Sequence, residues 1–436
     1  MEAIADEVKF EKYPIYKDSG VEWLGEVPEH WQIKKIKRVF YEIKKRTNPA
    51  LNCGSISFGK VVYKDDEKIP ESTKKSYQAV LTGDFLVNPL NLNYDLISLR
   101  IALSDIDVVV SSGYIVLSNF VKLDKIYFKW FLHRFDVEYM KLLGSGVRQT
   151  LNYNDIGICD LIFPPLEEQT SIANFLDLKT KQIDEVIAQK EKQIDLLKER
   201  RQALIHKAVT RGLNPDVPLK DSGVEWIGEI QEHWEVKKLK YLLIGKLKYG
   251  ANESGVEYDF KLPRYVRITD FGQDGYLSED NKLSLTWKQG FNYLLKDGDI
   301  LFARSGATVG KTYQFKKNMS IEENYCYAGY LIKAEADENK ILSDYLYLYT
   351  NSPLFNKWKD AIFIKATIEN IGADKYSQLP VVVPPINKQR EILDTFSEWD
   401  NKISVAISCK KEEIEKLKEY KATLIKSAVT GKIKVS

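Results

Sequence analysis

The sequence is poor in the residues that build metal centres and cross-links. Four cysteines, Cys53, Cys159, Cys326 and Cys409, are scattered along 436 residues with no CxxC pair. That pattern excludes a zinc-ribbon site or a disulfide framework and fits a reducing compartment. The four histidines are equally dispersed. No apolar run approaches the ~18 residues needed to cross a bilayer, and the opening MEAIADEVKF has no apolar signal-peptide core. A soluble, cytoplasmic protein is expected. Charge of one sign is also missing: 64 Lys and Arg against 62 Asp and Glu leave a net charge of +2. Any contact with a polyanion must come from local basic patches, because no overall field exists to supply it.

What the chain does have is a repeat. The stretch PPLEEQTSIANFLDLKTKQIDEVIAQKEKQIDLLKERRQALIHKAVTRGL returns 220 residues later as PPINKQREILDTFSEWDNKISVAISCKKEEIEKLKEYKATLIKSAVTGKI. Within the first copy, Ile183, Lys190, Leu197 and Leu204 form one seven-residue row, and Ile187, Ile194, Arg201 and Ala208 form a second. The other copy matches both rows, with Ile403, Lys410, Leu417 and Leu424 and then Ile407, Ile414, Lys421 and Ala428. So narrow an apolar seam on so charged a helix needs a partner of the same period. The spacing therefore predicts two long helices paired as a coiled coil.

The rest of the chain repeats too. YKDSGVEWLGEVPEHWQIKKIKRVF, from Tyr16, is echoed 203 residues on by LKDSGVEWIGEIQEHWEVKKLKYLL. The Asp-Ser-Gly turn and the matched tryptophans, Trp23 and Trp31 against Trp226 and Trp234, read as an aromatic plug opening each domain. Further on, LTGDFLV at Leu81 answers DGDILFA at Asp297, and LIFPP at Leu161 answers VVVPP at Val381. Each half is thus a plug, a β-rich lobe, a short apolar strand ending in Pro-Pro, and a long helix. The expected fold is α+β, a pseudo-twofold tandem duplication of two β-rich lobes separated by two antiparallel coiled-coil helices. Its boundaries fall at 1–165, 166–213, 214–385 and 386–436.

The lobes differ where turns carry side chains outward: NPLNLNYDLISLR from Asn88 in the first, RSGATVGKT from Arg304 in the second. One scaffold with two surface chemistries suits reading two different things. SGATVGKT ends like a phosphate-binding loop but places three residues between Gly306 and Gly310 where that loop needs four. Pro215-Asp216 with Glu235-Val236-Lys237 has the spacing of a metal-dependent nuclease motif, yet Gln32 stands at the repeat position of Glu235. No catalytic residue, metal ligand or cofactor is predicted. Arg and Lys pair with guanine, and Asn and Gln with adenine, while basic side chains also hold phosphates. On that chemistry the DNA contacts expected in the first lobe are Asn88, Asn91, Asn93, Arg100, Arg148 and Gln149. Those expected in the second are Arg267, Arg304, Ser305, Thr308, Lys311 and Lys365.

Taken together, the KDSGVEW plugs, the GDF and GDI strands, the PPLEEQ helix start and the AVTRG and AVTGK helix ends resemble the specificity subunit of Type I restriction-modification enzymes. The resemblance spans nearly the whole chain. It implies two target-recognition domains, each contacting half of a bipartite site on double-stranded DNA. It also implies spacer helices that dock modification subunits, two of them, with restriction subunits as further partners. Methylation, ATP hydrolysis and cleavage would then belong to those partners. The second spacer departs from the pattern, with Asn387 and Lys388 where the first has Glu167 and Glu168. The alternative is a nucleotide- or metal-dependent nucleic-acid enzyme using the SGATVGKT loop.

Overall fold

A computed structural model describes residues 10–67, 69–90, 99–140, 143, 150–272, 275–306, 308–363 and 370–435. Spatially the chain forms two compact units, Met1–Lys190 with Glu412–Ser436, and Glu191–Lys411. Each unit owns a lobe and a stretch of both long helices, so the spatial division cuts across the four-part division of the sequence.

In the first unit, a four-stranded antiparallel sheet runs in the order Phe40–Glu42, Ile115–Asn119, Phe85–Val87, Ile101–Leu103. In the second, the order is Lys248–Tyr249, Leu331–Ala334, Ile300–Ala303, Thr312–Gln314. The two sheets have the same connectivity. The GDF and GDI motifs explain why: Gly83 and Gly298 take φ of +90° and +87°, which glycine adopts without steric cost. The aspartate that follows then closes the turn, Asp84 accepting from the Leu81 amide at 2.8 Å and Asp299 from that of Lys296 at 2.8 Å. Both carboxylates are buried beside a cation. Arg46 pairs with Asp84, and Lys333 lies 2.8 Å from Asp299.

The plug strands are placed by the Pro-Pro segments. Gln32–Lys35 pairs antiparallel with Asp160–Phe163, and Glu235–Lys238 with Pro380–Val383. Each Pro-Pro then starts a long helix, Leu166–Thr210 or Ile386–Val429. A buried glutamine locks each start. Gln169 accepts from the Asp124 amide at 2.9 Å and donates to Pro164 O at 2.8 Å; Gln389 accepts from Leu342 N and donates to Pro384 O at the same 2.8 Å. Asp124 is in turn the N-cap of helix Lys125–Glu138, its side chain accepting from Ile126 and Tyr127. At the other end, Gly212 and Gly431 take φ of +66° and +70° as the chain leaves each helix. A Cβ at Gly212 would lie 3.1 Å from Trp234, and one at Gly431 2.9 Å from Trp31. Only glycine lets the helix end close over the plug tryptophan.

The seam residues are the covered face of the helices. Ile183, Ile194, Ile403, Ile414 and Leu424 are buried, and Ile187, Leu197, Leu204, Ile407 and Leu417 are half-buried. In the first unit, Lys421 Nζ bonds both Asp184 oxygens and Lys190 Nζ lies 2.6 Å from Glu413. Numbers rise on one helix as they fall on the other, so the pair is antiparallel. In the second unit, Arg201 pairs with Asp400 at 2.8 Å. Basic stems thus occupy the interrupting seam positions and find carboxylates across the seam. Among the described residues, no helix is long and apolar enough to cross a membrane.

Candidate nucleic-acid interface

The same construction recurs in both lobes, at the end of the central sheet strand. In the first, the chain leaves Phe85–Val87 through Asn88, whose side chain accepts from the Leu90 amide at 3.1 Å in a local turn. Leu90 forms a bridge with Thr150, and Leu151 N donates to Pro89 O at 3.1 Å. In the second, the chain leaves Ile300–Ala303 through Arg304, Ser305 bridges Asn370, and Ile371 N donates to Arg304 O at 2.8 Å. Each lobe therefore joins the base of its divergent loop to the segment entering the short helix Tyr153–Gly157 or Ala373–Ser377. Two stretches 60 or more residues apart become one surface.

In the second lobe that surface is chemically explicit. The Arg304 guanidinium lies over the Tyr249 ring, 5.0 Å from its centroid, and the Tyr249 hydroxyl accepts from Ala373 N at 3.0 Å. Arg304 N donates to the carbonyl of Tyr330, whose ring is 63% exposed. Arg304 Nε and Asn370 Oδ1 are buried, yet neither has a hydrogen-bond partner among the described residues. A buried donor and a buried acceptor left open at one loop base are costly unless a ligand satisfies them. Their chemistry matches base edges, with Arg donating to guanine and Asn pairing with adenine.

The expected contacts fall into three groups. Arg304, Ser305, Thr308 and, at the loop base of the first lobe, Asn88 stand on these surfaces, and Thr308 is exposed. Asn91, Asn93, Arg148, Gln149 and Lys365 lie outside the described residues. Three basic residues are held by the protein itself. Arg100 is turned inward, 6% exposed, its amide 2.5 Å and its Nε 2.9 Å from the buried Asp136 carboxylate. The side chain is thus tied to the lobe interior, although its Nη2 is buried without a hydrogen-bond partner among the described residues. Arg267 is half-buried and caps its own turn, bonding Asp270 Oδ1 and Asn281 O at 2.8 Å each. Lys311 Nζ donates to Phe271 O at 2.6 Å. Tyr249, Tyr330 and Asn370 were missed, although Asn370 lies 220 residues after Thr150, the offset of the long helices.

The phosphate-loop alternative does not survive the geometry. RSGATVGKT joins two antiparallel strands, Ile300–Ala303 and Thr312–Gln314, so no helix N-terminus follows to face a phosphate. Among the described residues, no group of three or more His, Cys, Asp or Glu side chains could hold a metal.

The two lobes thus repeat one construction around divergent loop bases, amide-bearing in the first and guanidinium-bearing in the second. The chain matches the Type I restriction modification DNA specificity domain at residues 28–196 and again at 231–416, and it belongs to that family. It is a specificity subunit, a non-catalytic DNA-recognition component that assembles with the other subunits of a Type I system. It is 25% identical over 431 residues to the Type I restriction enzyme MjaVIII specificity subunit of Methanocaldococcus jannaschii, with 94% of each chain covered. To the EcoKI specificity subunit of Escherichia coli it is 24% identical over 398 residues, covering 85% of this chain and 82% of that one. Its fold is similar to a chain solved in work on complex assembly and conformational transition of the type I R-M system. That match has a TM-score of 0.68 at 15% identity and covers 92% of this chain and 98% of the other.

Proposed function

We propose that the two lobes read the two halves of a bipartite target on double-stranded DNA, and that the chain thereby directs two modification subunits and the restriction subunits to that site in the cytoplasm. The observation that carries this reading is the repeated loop base, Leu90 with Thr150 and Ser305 with Asn370. The backbone construction is shared while the side chains differ, as expected if each lobe recognises its own sequence.

Arg304 provides the test. In complex with the modification partner, Arg304→Ala should relax or weaken one half-site only, by ~1–3 kcal/mol if the guanidinium makes a bidentate base contact. Methylation mapping reads this directly. A uniform loss over all sequences would make Arg304 a phosphate contact, and no change at all would remove it from the interface.

The long helices, 45 and 44 residues, are proposed to set the gap between the half-sites. Four residues inserted near Lys190 add ~6 Å of helix. Such a stutter is absorbed by local unwinding, and at ~3.4 Å per base pair it lengthens the unspecified gap by at most about two base pairs. Each added base pair also turns one half-site by about a tenth of a helical turn, which opposes any larger change. An insertion variant that methylates the original target at full rate would reduce the helices to a tether.

A further inference from the structure

The first lobe carries a strained aromatic side chain that its own packing does not explain. Strands Gly54–Ser57 and Lys60–Tyr63 form a hairpin in which Ser57 faces Lys60, leaving Phe58 and Gly59 as a two-residue turn. Both turn residues are left-handed, with φ of +46° and +72°. A turn of this kind is ordinarily filled by Asn-Gly or Asp-Gly, because a bulky side chain at the first position crowds its own backbone. Here that position holds a phenylalanine whose side chain is 75% exposed. The ring gains little by burial, so the strain has no compensation within the fold. A strained outlier of this sort points toward function.

Its location supplies the function. The backbone of the turn lies directly on the end of the central sheet: a Cβ at Gly59 would be 2.7 Å from Leu99 Cδ1 and 3.0 Å from His133 Nε2. Leu99 adjoins Arg100, whose carbonyl accepts from Asn88 N at 2.8 Å. The hairpin tip therefore stands at the same sheet end as Asn88, Leu90 and Thr150, the loop base of the first lobe. Lys60 lies two residues after the ring, at the start of the second hairpin strand. An exposed apolar wedge is the device by which proteins pry apart stacked base pairs.

We infer that Phe58 inserts between stacked bases at the half-site read by the first lobe, held out for that purpose by the hairpin turn. This rests on the DNA-reading function proposed above. Insertion unstacks the base step, so the wedge adds a stacking contact and makes the half-site sensitive to how easily its sequence deforms.

The test uses the chain in complex with its modification partner and a duplex carrying the mapped target, with 2-aminopurine placed in turn along the first half-site. Wild type should raise the fluorescence at one position. Phe58→Asn suits the turn better than phenylalanine, so the variant should be at least as thermally stable as wild type. It should nevertheless bind the target about tenfold more weakly and lose the fluorescence rise. Phe58→Ala should lose both in the same way. If either variant binds and methylates like wild type, or if Phe58→Asn melts earlier because the ring is structural, the wedge is refuted. Specific binding by wild type with no fluorescence rise refutes the wedge alone. Absence of any sequence-specific retention refutes the underlying DNA-reading proposal as well.

Discussion

Asp136→Ala should cost the first lobe ~3–5 kcal/mol, because it leaves the Arg100 guanidinium buried without its counter-charge. The carboxylate is fully buried and receives both the Arg100 amide and its Nε. Amide exchange at Ile101 and Ala102, next to the pair, reports the loss locally. The double variant Arg100→Met with Asp136→Asn should recover most of it. It removes the buried charge while the asparagine oxygen still accepts the backbone N–H at position 100. This pair of variants also settles the role of Arg100. A stable double variant that methylates the normal target shows the arginine to be internal; a stable double variant blind to the first half-site would place it on DNA.

Trp31→Ala should be comparably damaging, ~3–5 kcal/mol for a fully buried indole. Trp31→Phe is the more informative change. In the first repeat, the indole N–H donates to Glu168 at 3.0 Å, the Tyr13 hydroxyl donates to the same oxygen at 2.7 Å, and His30 Nε2 lies 2.6 Å from the other. Burial alone would raise the Glu168 carboxyl, but Tyr13, Trp31 and His30 outweigh it and hold it below the ordinary range. In the second repeat Lys388 stands where Glu168 does, and the Trp234 indole turns to the exposed His233 at 3.1 Å. Losing a bond to a half-buried carboxylate costs ~1–3 kcal/mol, whereas His233 can bond water instead. Trp31→Phe should therefore destabilise more than Trp234→Phe in chemical denaturation followed separately for each unit. Equal losses would mean that the Glu168 cluster contributes nothing beyond packing.

That asymmetry also explains the departure at Asn387 and Lys388. The acidic pair is not needed to start the helix, because the glutamine does that in both copies. Glu168 instead ties the first helix to its plug.

The duplication, the plugs, the Pro-Pro strands and the heptad seam were all legible in the sequence. Each is a matter of period or offset along one dimension, and a seven-residue repeat on a charged helix has few ways to be covered. The glycines at the helix ends were visible too, though their reason, the tryptophan lying against Gly212 or Gly431, was not. What sequence could not distinguish was one arginine from another. Arg100 and Arg304 both occupy divergent loops after matched strands, and both were expected on DNA. Asp136, on a helix 36 residues downstream, pairs with Arg100 in the interior; Tyr249, 55 residues upstream, lies under the Arg304 guanidinium at the loop base, where no carboxylate among the described residues pairs with it. The strain at Phe58 was equally hidden, since Phe-Gly reads as nothing in particular until the register places both residues in a two-residue turn. Local propensity and periodicity determined the architecture of this protein. Which polar and aromatic groups are left open to a partner was decided by long-range contacts, because whether a group is satisfied depends on neighbours that only the folded chain brings together.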